Sequence, residues 1–203
     1  MTSSKSLKIA VLGSGRGSNF IALYENIVAN SLPVEVCLVA SDFADAKILE
    51  IAAEYGLLTF ACPPSRFKTK LEPEIETALA EAIQSAGAEL VILAGFMRVV
   101  KAPLLNAFPQ RIINIHPSLL PDFKGLEAWK QALDAGVKET GCTVHWVDSS
   151  LDGGAIISQS KVPVLSGDSP TSLHLRIQKA EHQLLPSVVN EIALGKIPLG
   201  LEN

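Results

Sequence analysis

The 203-residue sequence contains little cysteine, few aromatic residues and no excess of positive charge. Cys37, Cys62 and Cys142 are odd in number and widely spaced, without a C-x-x-C pair, so they predict neither a disulfide framework nor a zinc site. A formal net charge of -4 argues against a nucleic-acid-binding protein, which normally carries a basic stripe. We therefore expect reduced thiols, no nucleic-acid partner, and local groups that bind any anionic ligand.

Long hydrophobic runs are also missing. The longest strongly apolar run, residues 90–97, is far too short to cross a bilayer, and the polar lead at residues 1–6 lacks the apolar segment of a signal peptide. A composition of 48% hydrophobic and 19% charged residues suits one substantial core. The sequence predicts a single soluble domain over residues 1–203, located in the cytoplasm and without a membrane partner.

The first half alternates short apolar runs with segments of helical periodicity. Strands are predicted at residues 7–12, 34–39, 57–61 and 89–94, and helices at 20–29, 44–55, 72–86 and 102–107. Nearly uninterrupted apolar strands separated by helices are typical of a parallel sheet buried on both faces. The pattern predicts an α/β, doubly wound, mostly parallel sheet with right-handed crossovers.

The second half has a different pattern. A helix is predicted at residues 126–135, strands at 140–147 and 155–164, and a long last helix at 170–194 with an apolar stripe. Two consecutive strands without a helix between them predict an antiparallel edge of the sheet.

A glycine loop, Gly13-Ser-Gly-Arg-Gly-Ser-Asn19, follows the first strand. It is not a dinucleotide fingerprint, because position 18 is Ser rather than the third glycine, and it is not a Walker A loop. Free backbone N–H groups at the start of a helix favour an anion, so we expect a monophosphate cradle to which Ser18 and Asn19 add donors. A plain tight turn is the alternative.

The segment Arg111 to Asp122 places two polar side chains in an apolar strand. Asn114 and His116 are two residues apart, so they project to the same face, and Pro117 ends the strand directly after them. Ligands of open α/β sheets bind at the carboxyl ends of the strands, which makes this pair a candidate site. The alternative is an Asn that caps a turn beside a core His.

Asp152 lies in a Gly-rich turn between the two late strands. Near His116, its carboxylate would raise the imidazole pKa and allow proton donation near neutral pH, although Asp152 on its own reads as a turn residue. His145 is expected to pack or to face a ligand, and His174 and His182 are expected mainly at the surface. No metal-ligand spacing is present around Asp152.

The order and spacing of four motifs resemble those of the folate-dependent formyltransferases, in particular the branch that acts on glycinamide ribonucleotide in purine synthesis. The motifs are Gly13 to Asn19, Leu93-Ala-Gly-Phe-Met-Arg98, Asn114-Ile-His-Pro-Ser-Leu-Leu-Pro121 and Leu151-Asp-Gly-Gly154. The resemblance covers nearly the whole chain. It implies the formyltransferase fold, with a phosphate-binding half at about residues 1–100 and a folate-binding, catalytic half at about 101–203. It also implies glycinamide ribonucleotide and 10-formyltetrahydrofolate as substrates, no metal, and either a monomer or a homodimer.

The resemblance assigns roles to individual residues. The catalytic residues would be Asn114, His116 and Asp152. The ribose phosphate would be bound by Gly17, Ser18, Asn19, Gln178 and Glu181. The folate would be bound by Lys70, Met97, Arg98, Val99, Asn114 and Leu151. Two positions depart from some relatives, which have Asn in place of Arg16 and His in place of Glu127.

Four other functions remain alternatives. Methionyl-tRNA formyltransferase shares two of the motifs but adds a C-terminal domain, and formyltetrahydrofolate deformylase adds an N-terminal one, so the length of this chain disfavours both. A non-catalytic phosphate-sugar sensor on the same fold is disfavoured because all three polar residues are present. An NAD-dependent oxidoreductase is disfavoured because the third fingerprint glycine is missing.

Overall fold

The computed structural model describes residues 6–200, so most of the polar lead and residues 201–203 lie outside the described part. In chain order the elements are β1 (Leu7–Leu12), α1 (Ser18–Asn30), β2 (Val34–Ser41), α2 (Lys47–Glu54), β3 (Thr59–Ala61), α3 (Pro73–Ser85), β4 (Leu90–Leu93), α4 (Ala102–Ala107), β5 (Ile112–His116), α5 (Ala128–Asp134), β6 (Glu139–Trp146), β7 (Ile156–Pro163) and α6 (Pro170–Ala193).

All of these strands join one seven-stranded sheet in the order β3-β2-β1-β4-β5-β6-β7. The pairs from β3 to β5 are parallel, whereas β5 with β6 and β6 with β7 are antiparallel. The prediction of a doubly wound, mostly parallel sheet with an antiparallel C-terminal edge is therefore confirmed.

Side chains of the central strands alternate between two hydrophobic cores, one on each face of the sheet. In β1, Ile9 and Val11 belong to the core covered by α1, α2 and α6, whereas Ala10 and Leu12 belong to the core covered by α3 and α4. This alternation explains why the strand has no polar face: both faces are buried beneath helices. Helices on both faces are confirmed.

The predicted stripe of α6 also docks on the sheet. Leu173, Ile177, Leu185 and Val188 are buried in the first core, and Leu184 is partly buried against it. The helix starts with a capping box in which Ser169 and Ser172 exchange side-chain and backbone hydrogen bonds. Helix α6 therefore packs on the same face of the sheet as α1.

Three predicted elements begin two or three residues later than expected. The helix expected from residue 44 begins at Lys47, because the backbone N–H of Phe43 donates to Ser41 Oγ in a turn. The strand expected from residue 57 begins at Thr59, since Leu57 N–H donates to the carbonyl of Ala52 and closes α2 instead. The helix expected from residue 126 begins at Ala128, after Glu127 with a left-handed φ of 53°.

The topology brings three loops together at one edge. The connections change direction between the neighbouring strands β1 and β4, which is the switch point where ligands of such sheets bind. The glycine loop follows β1, residues 94–99 follow β4, and Pro117 follows β5. Their side chains are therefore candidates for one site.

The connection between β6 and β7 depends on Gly154. A Cβ atom at this position would lie 1.8 Å from the carbonyl oxygen of Trp146, whereas a Cβ at Gly15 would meet nothing within 4 Å. We predict that Gly154→Ala lowers the free energy of unfolding by about 3 kcal/mol, because the hairpin backbone must move to admit the methyl group. Urea unfolding with Gly15→Ala as the control measures this effect, and equal stability of the two variants would contradict it.

Candidate active site

A cavity of about 830 Å³ opens at the carboxyl edge of the sheet. Its walls come from the glycine loop, the segment after β4, the end of β5, the loop before α5, the loop after β6 and one side of α6. The volume lies within the usual range for small-molecule sites. The structure thus places the motifs of both halves of the sequence around one space.

His116 is buried, with 4% of its surface exposed, and it lines this cavity. Its Nε2 lies 2.9 Å from the carbonyl oxygen of Phe123, and because a carbonyl only accepts, Nε2 carries a hydrogen and donates. Its Nδ1 lies 3.5 Å from Asp152 Oδ2. That separation is longer than an ordinary hydrogen bond, so Nδ1 makes no short contact with the carboxylate.

Asp152 adopts a left-handed backbone conformation with φ of 45° and turns its carboxylate to the end of β5. Oδ2 accepts a hydrogen bond of 2.9 Å from the backbone N–H of Gly125. Oδ1 lies 3.8 Å from Nε2 of His145. The structure therefore brings together the aspartate and the histidine that the sequence alone left apart.

Asn114 is oriented by His145, which faces it across the antiparallel pair of β5 and β6. His145 Nδ1 donates to the carbonyl of Trp146 at 2.9 Å, so Nε2 of the neutral ring accepts from Asn114 Nδ2 at 3.1 Å. Burial lowers the pKa of His145 and keeps the ring in this neutral form near pH 7. One N–H of the Asn114 amide remains free to bind a ligand in the cavity.

The glycine loop forms the opposite end of the cavity. Gly17 is the N-cap of α1 in the left-handed region, with φ of 75°, and no side chain caps the first turn. A Cβ at Gly17 would lie 2.9 Å from side-chain atoms of Ile48, so this position must be glycine for the loop to pack on α2. Gly17, Ser18 and Asn19 line the cavity, and the uncapped N–H groups suit an anion.

Glu181 of α6 lies beside this loop, and Gln178 lines the same part of the cavity. Asn19 Nδ2 donates to Glu181 Oε2 at 3.0 Å. Burial raises the pKa of the Glu181 carboxyl to about 7, and the hydrogen bond from Asn19 partly opposes this rise. Oδ1 of Asn19 is buried without a partner within residues 6–200, so a hydroxyl or amine of a ligand would satisfy it.

The residues assigned to folate lie in different environments. Met97 and Leu151 are exposed apolar side chains on the cavity wall, and Val99 lines it while its N–H donates to the carbonyl of Thr69. Lys70 is exposed, lies over the ring of Phe67 and is not part of the wall. Its role in binding folate stays a prediction.

Arg98 touches the cavity but its guanidinium is engaged elsewhere. Nε donates to Asp42 Oδ2 at 2.5 Å, and one terminal nitrogen donates to the carbonyl of Phe67. Both ionised side chains are buried. Because the guanidinium is engaged, only the backbone and aliphatic stem of Arg98 are available to a ligand, and its role in binding folate stays a prediction.

The expected surface location of His174 and His182 is wrong, because both are half-buried. His174 lines the cavity and stacks on Trp129, and Nε2 of His182 is buried within the described range. Sequence reasoning also missed His145 as the partner of Asn114 and gave Trp129 no role. The contact of His145 with Asn114 depends on strand register, and the contact of Trp129 with His174 depends on the packing of α5 on α6. Neither leaves a pattern in the local sequence that could have predicted it.

Residues 6–200 lack two features, a metal site and a membrane-spanning helix. No group of three or more His, Cys, Asp or Glu side chains is placed to hold a metal ion. No helix combines the length and the apolar character that crossing a bilayer requires.

Fold and site together define a doubly wound α/β protein whose cavity joins the N-terminus of α1 to an amide, an imidazole and a carboxylate. The formyl transferase family model matches residues 7–189. The chain belongs to the formyl transferase family, and the sequence-based identification of that family is confirmed.

Individual relatives agree with this assignment. The chain is 39% identical over 196 residues to phosphoribosylglycinamide formyltransferase of Bacillus subtilis, covering 97% of this chain and 96% of that protein. It is 39% identical to the trifunctional purine biosynthetic protein adenosine-3 of Bos taurus, of whose length it spans only 19%. The crystal structure of glycinamide ribonucleotide transformylase 1 from Symbiobacterium toebii matches with a TM-score of 0.89 and 45% identity, covering 94% of this chain and 89% of that one.

Burial of Glu181 predicts a pH-dependent cost to stability. Its pKa is about 7 in the folded protein, against an ordinary value of 4.5. Between these values the unfolded chain ionises while the folded chain stays protonated, so stability falls as pH rises and the full cost is present above pH 7. We predict that Glu181→Gln is more stable than wild type by up to about 3 kcal/mol at pH 8, with little of this gain near pH 4.5.

Urea unfolding between pH 4.5 and 8 measures this difference. Glu25→Gln, at an exposed position of α1, is the matched control and should show no such trend. A Glu181→Gln variant that is less stable than wild type across the whole range would rule out a cost of ionisation.

Proposed function

We propose that this chain transfers the formyl group of 10-formyltetrahydrofolate to the amino group of glycinamide ribonucleotide, giving formylglycinamide ribonucleotide and tetrahydrofolate. The observation that carries the proposal is the meeting of Asn114, His116 and Asp152 in one cavity with the uncapped N-terminus of α1. Family membership and the names of the relatives support it. The cavity accommodates a phosphate at one end and a reacting amine at the other.

The first chemical step forms a carbon–nitrogen bond. The glycinamide amine attacks the formyl carbon, and negative charge develops on the formyl oxygen of the tetrahedral intermediate. The free N–H of Asn114 and an N–H of the His116 imidazolium stabilise this oxygen. Because His145 holds the amide of Asn114 in place before the substrate arrives, the donor needs no reorganisation during the reaction.

The second step breaks the bond between the formyl carbon and the folate nitrogen. A proton must leave the attacking amine and reach the departing nitrogen of tetrahydrofolate. Asp152 stabilises the imidazolium across the 3.5 Å gap and accepts the amine proton through a water molecule, while His116 donates to the leaving nitrogen. Atoms and charge balance without a metal or a covalent enzyme intermediate.

The two substrates bind at opposite ends of the cavity, glycinamide ribonucleotide at the glycine loop and the folate at the loops after β4 and β6. The ribose phosphate binds at Gly17, Ser18 and Asn19, and Glu181 and Gln178 accept and donate hydrogen bonds at the ribose. The pterin lies against the exposed apolar side chains of Met97 and Leu151. Burial of this apolar surface by the ring is the expected source of folate affinity.

The protein is proposed to act in the cytoplasm as a monomer or homodimer. Cys37, Cys62 and Cys142 are all free, and burial raises the pKa of the Cys62 and Cys142 thiols to about 12. Such thiols are inert and suit a reducing compartment.

The decisive experiment follows formyl transfer by the purified protein, with and without glycinamide ribonucleotide. We predict that Asn114→Ala reduces kcat about 100- to 1000-fold, because one donor to the developing oxyanion is lost. Asn106→Ala, an exposed asparagine of α4, is the matched control and should retain turnover within about twofold. Absorbance of tetrahydrofolate measures the rate.

Other outcomes distinguish the alternatives. Formate release in the absence of the acceptor would identify a deformylase, and transfer to the amino group of methionyl-tRNA would identify that formyltransferase. Binding of the sugar phosphate without turnover would identify a sensor.

A further inference from the structure

The phosphate end of the cavity carries two basic side chains besides the helix N-terminus. Arg16 lies at the exposed tip of the glycine loop, and His174 lies half-buried on α6, and both line the cavity. The first turn of α1 offers N–H groups and about half a positive charge. A phosphate monoester carries close to two negative charges at pH 7, so these N–H groups alone leave most of its charge unmatched.

His174 has an aromatic support. Its ring stacks on the indole of Trp129, with the ring centroids 3.7 Å apart and the planes inclined by 1°. The stack fixes the plane of the imidazole against α5. The face of an indole attracts a cation, so Trp129 can also support the protonated ring.

The charges around His174 keep it neutral while the cavity is empty of an anion. Burial lowers its pKa, and the guanidinium of Arg16 lowers it further. Glu127, directly before α5, and Glu181, two turns further along α6, also line the cavity, and the Glu127 carboxylate lies 3.9 Å from the Lys130 ammonium. A phosphate between Arg16 and His174 would reverse the effect of the arginine, because the anion favours the imidazolium.

We propose that Arg16 and His174 form the outer wall of the phosphate site, and that His174 takes up a proton from solvent when the phosphate of the substrate binds. The proposal rests on the proposed function for the identity of that substrate. Arg16 supplies one full charge and protonated His174 the second, so together they match a phosphate dianion. His174 thereby makes affinity for the phosphate depend on pH without taking part in formyl transfer.

Calorimetric titration of the whole protein with glycinamide ribonucleotide and with ribose 5-phosphate tests this proposal. Titrations at pH 7.5 in two buffers of different ionisation enthalpy give the number of protons taken up. We predict that wild type takes up a substantial fraction of one proton with either ligand. His174→Gln should bind about 10-fold or more weakly and take up no proton, because a charge-assisted hydrogen bond to the phosphate is lost.

Three further variants separate His174 from its neighbours. His182→Gln replaces the other half-buried histidine of α6, which does not line the cavity, and should retain proton uptake. Glu181→Gln removes the carboxyl whose pKa is about 7. At saturating ligand this variant shows the proton uptake that does not come from Glu181, and we expect the His174 share to remain. Arg16→Gln should weaken binding and move the uptake to higher pH, because loss of the guanidinium raises the pKa of His174.

A kinetic and a spectroscopic measurement complete the test. In the transfer reaction, His174→Gln should raise KM for glycinamide ribonucleotide much more than it lowers kcat. Titration with inorganic phosphate should quench indole fluorescence in wild type, as the imidazolium forms against Trp129, and the signal should be missing from Trp129→Phe.

Two results would overturn the proposal. One is proton uptake that survives in His174→Gln and disappears in Glu181→Gln; the other is an unchanged KM and affinity in His174→Gln. Either result can occur in a protein that still transfers formyl to glycinamide ribonucleotide, which leaves the proposed function intact. Conversely, His174-dependent phosphate binding without formyl transfer would reject the function and retain the site.

Discussion

The site depends on the approach of the Asp152 carboxylate to the end of β5. Two constraints hold it there: the left-handed backbone of Asp152 and the hydrogen bond from the N–H of Gly125. Both belong to loops, whereas His116 and Asn114 belong to a strand buried between two cores. A buried strand thus carries the amide and the imidazole, and two loops that contact each other carry the carboxylate. Because the N–H of Gly125 holds the Asp152 carboxylate, movement of the Gly125 loop would change the distance between that carboxylate and the His116 imidazole.

The antiparallel strands β6 and β7 help to position the polar side chains of the site. A strand parallel to β5 would have needed a crossover connection, because the chain must return to the amino ends of the strands before such a strand can begin. Instead β6 runs antiparallel to β5, so it starts beyond the carboxyl end of β5 and places His145 opposite Asn114. The loop after β6 then turns back and brings Asp152 to within 3.5 Å of His116. The antiparallel strand β6 therefore brings His145 to Asn114, and the loop that follows it brings Asp152 to His116.

In an acidic chain, the proposed anionic substrate would have to be attracted by local groups rather than by net charge. The formal net charge is -4, and the proposed phosphate would be attracted by the α1 N-terminus and by side chains beside it. Glu181, buried beside the loop, has its pKa raised to about 7, which reduces its repulsion of the phosphate near neutral pH. Arg98, by contrast, is paired with Asp42 and contributes little net charge.

The sequence by itself determined the order of strands and helices, the shared face of Asn114 and His116, and the glycine loop at a helix N-terminus. These features rest on local rules: side-chain alternation, the end of a strand at proline, and the need for glycine at a left-handed N-cap. Only the tertiary structure decided the meeting of His116 with Asp152, the pairing of Asn114 with His145, and the stacking of His174 on Trp129. Each joins residues from separate elements, so its geometry is set by strand register and helix packing, which no single segment encodes.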